Sequence, residues 1–323
     1  MRRGLGCFGL LAALAVIAGL YLVVQDWGGR GPATTNVTVI VPDGATLSSA
    51  ARELEKAGAI RSARRFLILS RVLGGDTPIK AGEYRFPAGL SQRDILVKMQ
   101  GGETLQRFVT IPEGMPAVMV YDVLMKAPYL TGDVKVPVEG TVLPDSYAYV
   151  RGATRQSVLD RMQKAMAEYL AQAWQRRKPG IAVSTPRDAL ILASIVEKET
   201  GKPEERRKVA AVYSNRLKRG MPLQADPTTI YPITQGRPLG RRILRSELDA
   251  RNDYNTYQMS GLPAGPIANP GRESIDAVLD PAPINALYFV ADGTGGHVFA
   301  DTLEQHNANV EKWRALRRAR GEM

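Results

Sequence analysis

Thr185-Pro-Arg-Asp-Ala-Leu-Ile-Leu-Ala-Ser-Ile-Val-Glu-Lys-Glu-Thr200 is the stretch on which the reading of this chain turns. Its opening is a helix start. Thr185 can serve as N-cap, Pro186 suits the first helical position, and Asp188 stands where a carboxylate closes a capping box. The residues from Ala189 to Val196 are apolar apart from Ser194, so this helix is predicted to be buried. Its last turn then carries two carboxylates. Glu197 and Glu199 are two positions apart and project from roughly opposite sides. Glu199 prolongs a stripe of large apolar residues, Leu192, Ile195 and Val196. Glu197 prolongs a smaller, more polar one, Leu190, Ala193 and Ser194. A carboxyl at the edge of an apolar face loses hydration and its pKa rises, which lets it act as a general acid near neutral pH. The competing reading pairs both glutamates with Lys198, Lys202, Arg206 or Arg207 at the surface.

Composition narrows the chemistry. The chain has 323 residues, with 43 Lys+Arg against 32 Asp+Glu, a net charge of +11. Hydrophobic residues at 44% and charged residues at 23% fit a globular protein of one large or two ordinary domains. One cysteine excludes an intramolecular disulfide framework and a Cys-rich zinc site. Two histidines, His297 and His306, leave little for a His-based metal centre. No metal and no cofactor is expected; the chemistry falls to carboxylates, hydroxyls and backbone groups.

The N-terminus suggests the compartment. Met1-Arg2-Arg3 precedes an uncharged run, Leu5 to Val24, long enough to cross a bilayer as a helix of roughly 20 residues. Ala15 and Ala18 lie inside that run rather than after it, which favours an uncleaved anchor over a signal peptide. The arginine pair predicts a cytoplasmic N-terminus and an exported remainder, anchored in the cytoplasmic (inner) membrane by one pass. Residues 1–26 are thus read as stub and anchor. Gln25 to Thr35, centred on Gly28-Gly29-Arg30-Gly31-Pro32, reads as a flexible stalk, assigned as residues 27–35.

Beyond it, a strand from Asn36 to Val41, helices from Leu47 to Ala57 and Ser62 to Leu73, and a strand from Ile79 to Phe86 make a small β-α-α-β module. With a helix from Ser91 to Met99 and a strand from Phe108, it is assigned residues 36–112. Residues 113–323 are read as a larger mixed α/β domain, giving an α+β chain overall. Within it stand helices from Ser157 to Arg176 and Glu204 to Arg219, a hairpin around Asp292-Gly-Thr-Gly-Gly296, and a terminal helix from Thr302 to Arg320. The basic end of that last helix reads as a solvated face. Pro222 to Pro270, long and rich in turn signals, is the kind of segment that lines a site.

Several clusters in this domain combine amides, carboxylates, hydroxyls and aromatic rings. They are Leu223-Gln224-Ala225-Asp226-Pro227-Thr228, Asp253-Tyr254-Asn255-Thr256-Tyr257, and Glu139-Gly140 with Pro144-Asp145-Ser146-Tyr147. Such groups suit sugar: rings stack on its C–H faces and polar side chains bond its hydroxyls.

Together with Ala193–Thr200, these segments resemble the MltG (YceG-like) endolytic murein transglycosylases. The resemblance extends through Val212-Tyr-Ser-Asn-Arg-Leu217, Gly261-Leu-Pro-Ala-Gly265, Tyr288-Phe-Val-Ala-Asp-Gly293 and Gly295-Gly-His297. The anchor and the β-α-α-β module look like that family's membrane helix and LysM-like subdomain. The resemblance implies lytic cleavage of the β-1,4 bond from N-acetylmuramic acid to N-acetylglucosamine in nascent peptidoglycan glycan strands, leaving 1,6-anhydro ends and helping to terminate elongation. It implies Glu199 as the catalytic residue, first acid and then base, and Gln224, Asp226, Thr228, Tyr254, Asn255, Glu139 and Asp145 as candidate substrate-binding residues, with Glu197 beside them. It also implies work beside penicillin-binding proteins or other wall-synthesis enzymes. Two other functions fit the residues: a lysozyme-type muramidase using Glu199 and Asp226, and a non-catalytic wall-binding scaffold. Nucleic acid is not an expected partner, because the positive charge is scattered and the domain is exported.

Overall fold

The computed structural model describes residues 2–322, and side chains from residue 13 onward. The chain divides into two compact units, Met1–Arg107 with Ala148–Gly152, and Phe108–Tyr147 with Ala153–Met323. Among the described residues, many helices and three two-stranded sheets make a mixed α+β protein.

The first unit begins with α1 (Arg2–Gly28). Side chains 1–12, and with them part of the apolar run Leu5–Val24, lie outside the described residues. Among the described residues no helix is long and apolar enough to cross a membrane, so the structure does not establish the expected spanning helix. The unit continues with β1 (Val37–Val41), α2 (Leu47–Lys56), α3 (Ala63–Leu73), β2 (Gly82–Phe86) and α4 (Gln92–Gly101). β1 and β2 pair antiparallel from Val37↔Phe86 to Val41↔Gly82, so the β-α-α-β order closes on itself. Thr46, Ser62 and Ser91 cap the three helices of this module with side-chain oxygens. Val39, Val41, Leu54, Phe66, Tyr84, Phe86 and Met99 fill its core.

The stalk reading of Gln25–Thr35 is corrected. α1 runs through Gly28, Trp27 belongs to the core, and the Gln92 amide donates to the Asp26 carbonyl at 2.6 Å. Gly31 donates to Gly89 O and Gly89 to Ala33 O, which ties the following turn down as well. Local composition predicted flexibility; Trp27 overrides it by burying a large ring.

The second unit holds β3 (Arg107–Thr110) from Phe108 on, α5 (Ala117–Lys126), β4 (Ser146–Tyr149) as far as Tyr147, α6 (Arg155–Gln175), α7 (Pro186–Glu199) and α8 (Pro203–Lys218). α9 (Asp226–Thr234), α10 (Arg245–Asp249), α11 (Arg272–Leu279), β5 (Tyr288–Ala291), β6 (His297–Ala300) and α12 (Leu303–Ala319) complete it. α7 is central. Thr185 and Asp188 form the capping box, and every residue from Ala189 to Val196 is buried. α6, α8 and α11 surround it, with Ile275 and Val278 of α11 in the same core. β5 and β6 form the expected hairpin, with Tyr288 opposite Ala300.

Four helices went unread in the sequence: α5, α11, and α9 and α10 inside the turn-rich segment Pro222–Pro270. α11 is eight residues long and starts at Gly271 without a side-chain cap, so no start signal marks it. Packing on α7 and α8 stabilises what propensity alone leaves marginal.

Candidate active site

The last turn of α7 delivers its two glutamates to different surroundings. Glu199 lines a cavity of ≈ 350 Å³ together with Tyr213 and Arg216 of α8, Leu223, Gln224, Asp226, Tyr257, Phe289 of β5 and His306 of α12. Burial is the main force on its carboxyl and raises the pKa from 4.5 to about 7. The nearby Asp226 charge pushes the same way. The Tyr213 hydroxyl hydrogen-bonds Glu199 and, with Arg216, pulls the pKa back down.

Tyr213 is 2% exposed and set edge-on to Phe289, centroids 5.9 Å apart. Its position is thus locked by packing. Arg216, three residues along the same helix face, donates to the carbonyls of Leu287 (2.7 Å) and Leu223 (2.8 Å) and to Gln224 Oε1 (3.2 Å). A guanidinium spent on carbonyls of two loops fixes the cavity wall. Gln224 sits at φ +53°, a left-handed conformation costing about 1–2 kcal/mol, held by the Arg216 contact and by its own N–H donating to Thr256 O at 3.0 Å. Asp226 Oδ1 accepts a 2.6 Å bond from the Tyr257 hydroxyl, which aims that ring across the cavity.

Glu197 lies elsewhere. Its Oε2 accepts from Gly271 N at 2.9 Å, and its Oε1 is 3.9 Å from Arg206 Nη2. Arg206 also binds Glu113, at 3.1 Å, and Glu273. A Cβ at Gly271 would meet the Glu113 carboxyl, which would have to swing aside to admit it. The surface-pairing reading thus fits Glu197 through Arg206, though the pair is mostly buried.

The remaining sequence candidates divide between cavity and frame. Gln224 and Asp226 stand with Glu199. Thr228 and Asn255 are fully buried and hold the loops around it. Thr228 Oγ1 donates to Ala225 O and meets Thr256 Oγ1 at 2.8 Å. Asn255 Nδ2 donates to the carbonyls of Glu247, Leu248 and Ala250, and its Oδ1 accepts from Thr229 and Tyr257. Tyr254 packs on Tyr231 at 4.8 Å. The Tyr231 hydroxyl bonds Glu139, which also accepts from Ala117 N at 2.9 Å. Glu139 is raised to about 7 as well, mainly by burial. Asp145 is exposed and paired with Arg272 at 2.9 Å, which holds its pKa down. His297 is outside the Glu199 cavity: its Nδ1 meets Glu205 Oε2 at 2.7 Å, and its N–H donates to Glu205 Oε1. Thr200 Oγ1 donates to the same Glu205 carboxyl.

Sequence reading did not single out Tyr213, Arg216, Phe289 or His306. Tyr213 and Arg216 share a helix face three residues apart, a spacing available in the sequence. His306 is signalled by nothing local. It stacks on Tyr288 at 5.1 Å, and its buried Nδ1 has no partner among the described residues. Also among them, no group of three or more His, Cys, Asp or Glu is gathered to hold a metal ion.

A burial-raised carboxylic acid, bonded by a tyrosine in a polar cleft, has the features that general acid–base chemistry needs. The YceG-like family model matches residues 39–312, and the chain belongs to that family. The endolytic murein transglycosylase of Bacillus subtilis (strain 168) is 30% identical over 312 residues, covering 86% of this chain and 85% of the relative. The protein of the same name from Streptococcus pneumoniae (strain D39) is 30% identical over 323 residues; the match covers 85% of this chain and 58% of that relative. A crystal structure of a putative yceG-like protein from Listeria monocytogenes is similar with TM-score 0.52 and 28% identity, over 85% of this chain and 99% of that one.

Proposed function

We propose that this chain is an endolytic lytic transglycosylase in which Glu199 acts first as general acid and then as general base. The coarser statement, a lytic transglycosylase acting on peptidoglycan, follows its relatives, 30% identical over most of the chain. The observation that carries the residue assignment is the burial of the Glu199 carboxyl in the cavity beside Tyr213, which pushes its pKa up to about 7. A carboxyl poised near neutral pH can give a proton and take one back with little loss either way.

The protonated carboxyl donates to the glycosidic oxygen as the bond from C1 of N-acetylmuramic acid breaks. The resulting carboxylate accepts the proton of the muramoyl 6-hydroxyl as that oxygen attacks C1. The 1,6-anhydro end forms, the acid is restored, and no water is consumed. A nucleophile within the substrate replaces the second carboxylate of ordinary glycosidases. Tyr213 steadies the carboxylate stage by donating to it, and Arg216 adds a positive field. Gln224, Asp226 and Tyr257 offer amide, carboxylate and ring to the sugar.

The apolar run Leu5–Val24 and the preceding arginines support a single-pass anchor with the catalytic unit outside the cytoplasm. There the enzyme meets newly made strands beside the synthesis machinery and limits their length.

The full chain, incubated in detergent with uncrosslinked glycan strands, tests the reading by product mass. Products one water lighter than hydrolysis products, absent with Glu199→Gln, are expected. Products of hydrolytic mass overturn it in favour of a muramidase using Asp226, which lines the same cavity. Undiminished cleavage by Glu199→Gln removes Glu199 from the role.

A further inference from the structure

We propose that the groove between α1 and α3 seats the headgroup of an anionic phospholipid, so that α3 lies on the bilayer surface. The inference rests on the anchored reading above and on the way the first unit holds its helices.

The depth of the groove follows from length. Leu5 to Val24 at 1.5 Å per residue measures about 30 Å, the thickness of the hydrocarbon core. Val24 therefore marks the outer boundary, with Leu22 and Val23 just inside it. The groove, of ≈ 720 Å³, is lined by Leu22 and Val23 on α1, by Arg30 and Arg61, and by Arg65 and Ile68 on α3. α3 cannot drift from that level. Trp27 at the end of α1 packs on Phe66 of α3, centroids 6.2 Å apart, and Gln92 binds the Asp26 carbonyl.

α3 itself has the chemistry of an interfacial helix. Ile68 and Val72, one turn apart, are 52% and 74% exposed, and Leu73 beside them is 49% exposed. Arginines flank this ridge: Arg64 and Arg71 on one side, Arg65 on the other. No acidic residue occurs between Ala59 and Gly75. Asp26 faces the groove 4.0 Å from Arg61; among the described residues no ion pair engages Arg30 or Arg65. Apolar side chains inside the boundary and guanidinium groups at it match acyl chain and phosphate. α1 exposes apolar side chains including Leu20 and Val24, and its Leu22 and Val23 share the groove with Ile68 of α3. That shared lining favours lipid over a protein partner.

The test uses the full chain in vesicles of phosphatidylcholine alone or with phosphatidylglycerol. A Cys7→Ser background carries an environment-sensitive fluorophore at Val72→Cys or, for reference, at Glu55→Cys on α2. Carbonate extraction reads the anchor separately. The expected result is a carbonate-resistant chain whose Val72 probe, unlike the Glu55 probe, reports an apolar setting that deepens with phosphatidylglycerol. Arg61→Glu with Arg65→Glu should remove that lipid-dependent deepening, since each surface arginine contributes about fivefold to partitioning. A carbonate-resistant chain with a water-exposed Val72 probe overturns the lipid site and leaves the anchor standing. A Val72 probe equally shielded in detergent micelles and both vesicles, with cross-linking between copies, replaces lipid by a second copy. A chain released by carbonate overturns the anchored reading, and this inference with it.

Discussion

Glu199 and Glu197 share one helical turn and have opposite surroundings. The Glu199 side of α7 opens on a polar cavity; the Glu197 side closes on Arg206, Gly271, Glu113 and Glu273. One helix, α8, supplies both partners. Its Tyr213 meets Glu199 and its Arg206, seven residues earlier, meets Glu197. The first carboxyl is offered a neutral hydroxyl and loses hydration, so its proton is retained to near neutral pH. The second is offered a guanidinium and a backbone amide, which hold it in place between α8 and Gly271.

The largest break in this comparison comes from Glu199→Gln. A loss of about 10²–10⁴-fold in anhydro-product release is expected, the usual span for a general acid–base group. If Glu197→Gln were the inactive variant instead, the assignment of roles would reverse. Glu197→Gln should instead cost about 1–3 kcal/mol of stability in urea unfolding, with kcat within a few-fold of wild type. Arg206 keeps Glu113 and Glu273, which limits the damage.

Tyr213→Phe sharpens the contrast. The Tyr213 hydrogen bond lowers the Glu199 pKa, so its removal should move the alkaline limb of the pH–rate profile up by about one unit. An unmoved limb would mean that the limb reports another group. Glu139 is the obvious rival, because it too is raised to about 7. A carboxyl whose folded pKa lies above its unfolded value stabilises the fold below the unfolded pKa. That contribution fades as pH rises through about 7. Glu139→Gln should therefore gain stability relative to wild type as pH rises from 5 to 8, by up to about 3 kcal/mol, without moving the rate profile. The smallest effect belongs to Asp145→Asn. Its exposed pair with Arg272 should be worth less than about 1 kcal/mol, with activity unchanged.

Much of this arrangement was legible in local patterns. The Thr185–Asp188 cap, the apolar run to Val196, the β-α-α-β order and the β5–β6 hairpin are set by neighbours in sequence. The cavity loops were legible as a place but not as a set of roles. Thr228 and Asn255 look like sugar ligands by residue type, yet nearby carbonyls take their donors, and threonine hydroxyls 28 and 26 residues away, Thr256 and Thr229, complete their bonding. His306 and Phe289 reach the cavity only because β5 folds back beside α8 and α12 packs on β5. Trp27 corrected the stalk for the same reason: its partner, Phe66, is remote in sequence.

By itself the sequence determined a buried helix ending in two glutamates, and that these must point apart, because 3.6 residues per turn leave no other option. It also gave Glu199 the more apolar stripe. Which side would open as a cleft and which would close as an ion cluster was decided by tertiary structure alone. Loop 222–257, β5 and α12 stand on one flank of α7–α8, and Gly271 with α11 on the other. The pKa of a carboxyl depends on the water and charge brought to it through space, and residues far along the chain supply both.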